Sequence, residues 1–113
     1  MSTIRQRRRS DRVLGTWDGR CRTHPKGPWG DCTVVDLSPG GAGILVPPGG
    51  VMPDVWIDVD VRSVIGRRRP FVVMGAVRDA HTLPDGWQRL AIQFVDVSRR
   101  RERRLERLLA RWR

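Results

Sequence analysis

Lysine is nearly missing from this 113-residue chain: Lys26 is the single lysine among 22 basic residues, set against 12 acidic ones, so a formal charge of +10 rests almost wholly on arginine. Guanidinium is planar, permanently protonated, and able to grip a phosphate or a guanine edge with two parallel hydrogen bonds, where an ammonium offers only a point charge. The imbalance points to an anionic partner. Cysteine is equally scarce. Cys21 and Cys32 are too few to frame a disulfide scaffold, which excludes the small stapled secreted folds, and both read as ordinary strand residues. Long apolar runs are absent. Nothing approaches the roughly 20 residues that span a bilayer, and no apolar segment follows the charged stretch 1–10, so neither a membrane span nor a signal peptide is expected and the expected location is the cytoplasm.

Histidine is limited to His24 and His81, both in turn-like segments. No nucleophile with an adjacent base and no pair of acid and base carboxylates can be assembled, so no enzymatic activity is expected. Cys21, His24 and Cys32 lack a well-spaced fourth zinc ligand, His81 being the one remaining donor of that kind, and no metal site is assigned.

The chain has room for one hydrophobic core. Residues 1–12 are polar, basic and without periodicity, the pattern of a flexible arm that orders around a ligand. From Val13 onward, short apolar runs alternate with Gly, Pro and Asp punctuation. Strands are expected over Val13–Arg22, Trp29–Asp36, Gly43–Val46, Val55–Val61, Phe71–Arg78 and Trp87–Val95. The clearest alternation sets Val55, Ile57, Val59 and Val61 against Trp56, Asp58 and Asp60, one face buried and one facing out, with Trp56 at a rim. After Ser98, a candidate N-cap, Leu105, Leu108, Leu109 and Trp112 recur at helical spacing, while Glu102 and Glu106 stand among arginines as candidate surface pairs. The expected architecture is all-β with one C-terminal helix: a six-stranded antiparallel β-barrel over 13–97 and an amphipathic helix over 98–113.

Two segments carry the chemistry. Arg5, Arg7, Arg8, Arg9 and Arg12 cluster just before the first strand; alone, such a cluster describes a solvated arm or a nonspecific nucleic-acid contact. Asp36-Leu37-Ser38-Pro39-Gly40-Gly41-Ala42-Gly43 lies where one strand ends and the next begins. As a plain turn, Asp36 and Ser38 would bond their own backbone and the glycines would supply positive φ. The same groups suit a purine edge: Asp36 accepts from guanine N1 and N2, Ser38 offers a hydroxyl, and Gly41 lets a ligand approach the backbone. No Lys-Ser or Lys-Thr follows the glycines, so this is not a nucleoside-triphosphatase phosphate loop.

Arg8-Arg9-Ser10-Asp11-Arg12 fits R-x-x-x-R and Asp36 to Gly41 fits D-x-S-x-x-G. In this order around a first strand they resemble the paired motifs of the PilZ domain family. Gly75-Ala76-Val77-Arg78 looks like the family's fifth strand, and Ala91-Ile92-Gln93-Phe94-Val95-Asp96 like its last, with Ala91 departing from a frequent glycine. The resemblance implies a non-enzymatic bacterial receptor for cyclic di-GMP that signals to a downstream protein. It implies that Arg8 and Arg12 hold phosphate and a guanine Hoogsteen edge while Asp36, Ser38 and Gly41 hold the other guanine face. Arg5 and Arg9 also satisfy the first motif, but Arg12 stands beside Val13 as the family's second arginine stands beside its first strand residue. Arg7, just before Arg8, implies a stacked pair of ligands. The rival reading is a basic barrel that binds RNA or DNA backbone nonspecifically.

Overall fold

Alternating apolar residues fold here into six antiparallel strands, β1 (Val13–Thr23), β2 (Gly30–Ser38), β3 (Gly41–Val46), β4 (Trp56–Asp60), β5 (Val72–Thr82) and β6 (Gln88–Phe94). The computed structural model describes residues 12–49, 54–95 and 97–112. The strands close a barrel in the order β1-β2-β3-β6-β5-β4, the ring being completed where Arg20 to Thr23 of β1 pair with Asp60 to Ile57 of β4. Val34, Ile44, Val59, Val77 and Leu90 point inward and are essentially inaccessible to solvent. Such alternation is how a small barrel fills its interior with branched side chains.

β4 corrects one expectation. Ile57, Val59 and Val61 do face the core, and Trp56 is exposed, but Asp58 and Asp60 are buried as well. Asp58 accepts from Arg22 Nε at 2.9 Å and lies 2.9 Å from His24 Nδ1. Asp60 accepts from the backbone amides of Arg62 and Phe71, both at 3.1 Å, and from the Arg62 side chain. Long neighbouring side chains and the loop after β4 thus roof the outer face, and a buried carboxylate is tolerated because donors surround it. β5 also runs past Arg78 to Thr82, because Asp79 to Thr82 continue the ladder with Ala91 to Gln88. His81 is therefore a strand residue rather than a turn residue. At the β5–β6 connection Gly86 takes φ +91°, the left-handed geometry expected of glycine in that turn.

Helix α1 (Arg99–Leu109) begins at Ser98, whose Oγ accepts from the Arg101 amide at 3.2 Å. Leu105 and Leu109 are buried in the barrel core, and Leu108 packs at its margin. Trp112 lies beyond the helix in a 3-10 turn, stacked edge-on against Trp17 with ring centroids 5.6 Å apart, its Nε1 donating to the Val64 carbonyl. Among the described residues, no ion pair joins Glu102 or Glu106 to an arginine. Such exposed pairs are worth only about 0.3–0.5 kcal/mol, too little to fix two long side chains. Removing the cap by Ser98→Ala will cost about 1 kcal/mol, read as a lowered urea midpoint; an unchanged midpoint would mean the helix start is held by other contacts. No helix among the described residues is long and apolar enough to cross a membrane.

Candidate functional site

A bulge in β2 builds the site. Val34 pairs with Ile44 while Asp36 pairs with Gly43, so Val35 is an extra residue. The bulge lets Val34 and Leu37, three apart, both point into the core, and it turns Asp36 and Ser38 to the outer face. β1 enters alongside, with Val13 opposite Leu37 and Leu14 opposite Asp36, so Arg12 arrives at the rim beside Ser38. A second bulge, between Val77 and Asp79 on β5, places Arg78 on the far side.

Between these walls the outer face is nearly bare. Gly41 pairs with Gln93 and Gly43 with Ala91, so small residues pave the floor. The result is a cleft of about 540 Å³ lined by Arg12, Asp36, Ser38, Arg78, Arg89 and Gln93 above that floor. Asp36 is largely buried and accepts from Arg89 Nη2 at 3.2 Å, whereas the Arg89 side chain is half exposed. Arg78 Nε donates to Gln93 Oε1 at 2.8 Å, and Ser38 Oγ donates to the Gly41 carbonyl at 3.3 Å. One carboxylate, one hydroxyl and three guanidinium groups therefore meet over a flat, side-chain-free strip. This donor and acceptor set can hold a planar ring bearing two N–H groups together with phosphate.

Of the expected ligand residues, Arg12, Asp36, Ser38 and Gly41 come together on this cleft. Arg7 and Arg8, like the alternative pair's Arg5 and Arg9, lie outside the described residues. The positive φ expected of the glycines in a plain turn is corrected. Neither Gly40 nor Gly41 has positive φ, and a Cβ at 41 would overlap the Ile92 carbonyl oxygen, so glycine here permits close strand approach. A Cβ at Gly43 would likewise overlap the Asp36 carboxylate. Gly43, Arg78 and Arg89 join the site without having been expected there. Strict alternation along Gln88 to Phe94 does put Arg89, Ala91 and Gln93 on one face, a signal that could have found Arg89; nothing in the sequence announces the bulge that places Arg78.

A larger cleft of about 690 Å³ lies over Asp18, Arg20, Asp31, Thr33, Arg62 and Trp87. Its Arg62 is already paired with Asp60, and the motif residues are elsewhere. Cys21 and Cys32 sit on β1 and β2, with Gly19 opposite Cys32 and Gly30 opposite Cys21. A hydrogen bond from Cys32 holds the Cys21 thiol below the usual thiol range; the same contact and burial push Cys32 up. Among the described residues no cluster of three metal-ligating side chains occurs. Limited treatment with iodoacetamide will modify Cys21 several-fold faster than Cys32, as peptide mapping would reveal; equal labelling would contradict that assignment.

The chain is thus a closed six-stranded barrel followed by one helix, with an acid and a hydroxyl facing arginines across a glycine floor. The sequence profile of the PilZ domain matches residues 6–111, and the chain belongs to that family. Comparison with curated protein sequences gives no match. Among solved structures, the PilZ domain of YcgR from Escherichia coli with c-di-GMP is similar at 19% identity and TM-score 0.65, over 89% of this chain and 87% of that one. The K. pneumonia MrkH complex with c-di-GMP is similar at 18% identity and TM-score 0.65, over 88% of this chain and 48% of that one. Borreliella burgdorferi PlzA in complex with c-di-GMP is similar at 10% identity and TM-score 0.58, over 96% of this chain and 45% of that one. This chain thus spans most of the isolated YcgR domain but about half of the longer proteins.

Proposed function

We propose that this protein is a non-enzymatic cytoplasmic receptor for cyclic di-GMP that passes the signal to a partner protein. The observation that carries the reading is the convergence of Arg12, Asp36 and Ser38 on one cleft of a PilZ barrel. In this reading Asp36 accepts from guanine N1 and N2, Ser38 turns its hydroxyl to the ring, and Gly41 keeps the floor low. Arg8 and Arg12 grip phosphate and the Hoogsteen edge, and Arg7 supports a stacked pair of ligands. Residues 1–12 act as an arm that orders over the barrel of 13–97 when ligand arrives, with the helix segment 98–113 closing one end. Several charge-assisted hydrogen bonds of roughly 1.5–3 kcal/mol each offset the ordering of such a segment. No metal is needed.

The test is isothermal titration of cyclic di-GMP into the wild type and Arg8→Ala, with GTP and a short RNA as controls. Expected are one or two ligands per chain for the wild type and loss of binding by at least about tenfold in the variant. Absence of heat with cyclic di-GMP, alongside salt-sensitive RNA binding, would replace this reading with a basic barrel that holds nucleic-acid backbone.

A further inference from the structure

Helix α1 buries one face and leaves a second face that the cleft does not use. At about 100° per residue, Arg100, Arg103, Arg104 and Arg107 of the helix fall on an arc of roughly 100° centred opposite Leu105 and Leu109. All four are exposed. Arg100, Arg103 and Arg107 border one shallow depression, with Glu106 on its flank. Arg101, by contrast, is committed to the barrel: it lies 4.7 Å from the Phe71 ring centroid and donates to the Val72 carbonyl. Arg111, in the 3-10 turn past the helix, also packs, its guanidinium lying over Gly66 and 4.9 Å from the Trp112 ring centroid, so Arg100, Arg103, Arg104 and Arg107 are sorted from the arginines that pack.

We propose that this arginine face docks on the sugar-phosphate backbone of duplex nucleic acid, as an anionic site separate from the ligand cleft. Charge complementarity favours this occupant over three others. Insertion into lipid needs an apolar face, and the one this helix has, Leu105 and Leu109, is in the core. The desolvated centre of a protein interface sets arginines among aromatic side chains, and the arc carries no aromatic. Single strands are held by stacking on exposed aromatics, which the arc also lacks. A duplex needs neither: it presents one negative charge per ~1.7 Å of axis, and guanidinium pairs bidentately with phosphate. The arc spans about 10 Å from Arg100 to Arg107, given 1.5 Å of rise per residue, enough to meet more than one phosphate. Such an interface reads no base sequence.

The test is fluorescence polarisation of a labelled 25-base-pair DNA duplex with the full chain across a salt series. It is repeated with the triple variant Arg100→Gln/Arg103→Gln/Arg107→Gln, with Asp36→Ala, and with vesicles containing 30% phosphatidylserine in place of DNA. Expected is binding whose slope of log affinity against log salt becomes shallower by about 2.7 in the triple variant, from roughly 0.9 for each phosphate no longer neutralised. Affinity at low salt should fall about tenfold or more, while Asp36→Ala binds the duplex as the wild type does. An unchanged melting temperature of the triple variant excludes unfolding as the cause. Wild-type affinity and slope in the triple variant would overturn the proposal, as would no duplex binding, or loss of vesicle binding alone. Cyclic di-GMP titration of the same variants keeps the two sites distinguishable.

Discussion

Asp36→Ala will weaken cyclic di-GMP binding by about a hundredfold or more, with little change in stability. The carboxylate accepts from two guanine donors in the proposed complex, and each such charge-assisted bond contributes roughly 1.5–3 kcal/mol, so losing both exceeds the 1.4 kcal/mol of one decade. Asp36→Asn is expected to fail almost as badly, because its amide NH₂ would face a guanine donor. The fold should tolerate either change. Arg89, the partner of Asp36, is half exposed and regains water when the carboxylate goes. Titration calorimetry beside urea unfolding separates the two effects. Near wild-type affinity in Asp36→Ala would sink the assignment of Asp36 to guanine; loss of affinity together with loss of folding would make Asp36 structural.

Leu105→Ala will remove about 2–5 kcal/mol of stability, a large share of the 5–15 kcal/mol typical of a domain. Leu105 and Leu109 are the two fully buried side chains of α1 and share the core cluster with Val64, Phe71 and Leu37. Truncating one opens a cavity that barrel strands, locked by their ladders, cannot collapse to fill. Half of the helix's hold is then gone. Urea unfolding followed by circular dichroism is the measurement; a cost below about 1 kcal/mol would show that the helix is an appendage rather than part of the core.

Much of this architecture is legible in the sequence because alternation reports which side chains face a core. Ile57, Val59 and Val61 are placed correctly on that ground, and Ser98 as a cap because a serine stands just before the periodicity changes. The same logic fails at Asp58 and Asp60. A period of two says which face points inward, not whether Arg22, His24 and Arg62, distant or in a loop, will roof the other face. The candidate site is legible as a place, since the motif residues Asp36, Ser38 and Gly41 line one cleft, though the contact of Gly41 with Ile92 across β3 and β6 depends on strand pairing that no local pattern encodes. Arg78 is hidden by a bulge, and Arg89 by its ordinary appearance on a strand.

The ring of strands limits how any partner can read this domain. Because β1 pairs with β4 as well as β2, every strand of the barrel is flanked on both sides. A recognition mode in which a partner's peptide adds itself to an exposed sheet edge needs a free edge, and where Arg20 to Thr23 meet Asp60 to Ile57 closure removes it. In the proposed receptor, a partner that reads the barrel along that seam must then read side chains on its wall, not backbone offered for pairing.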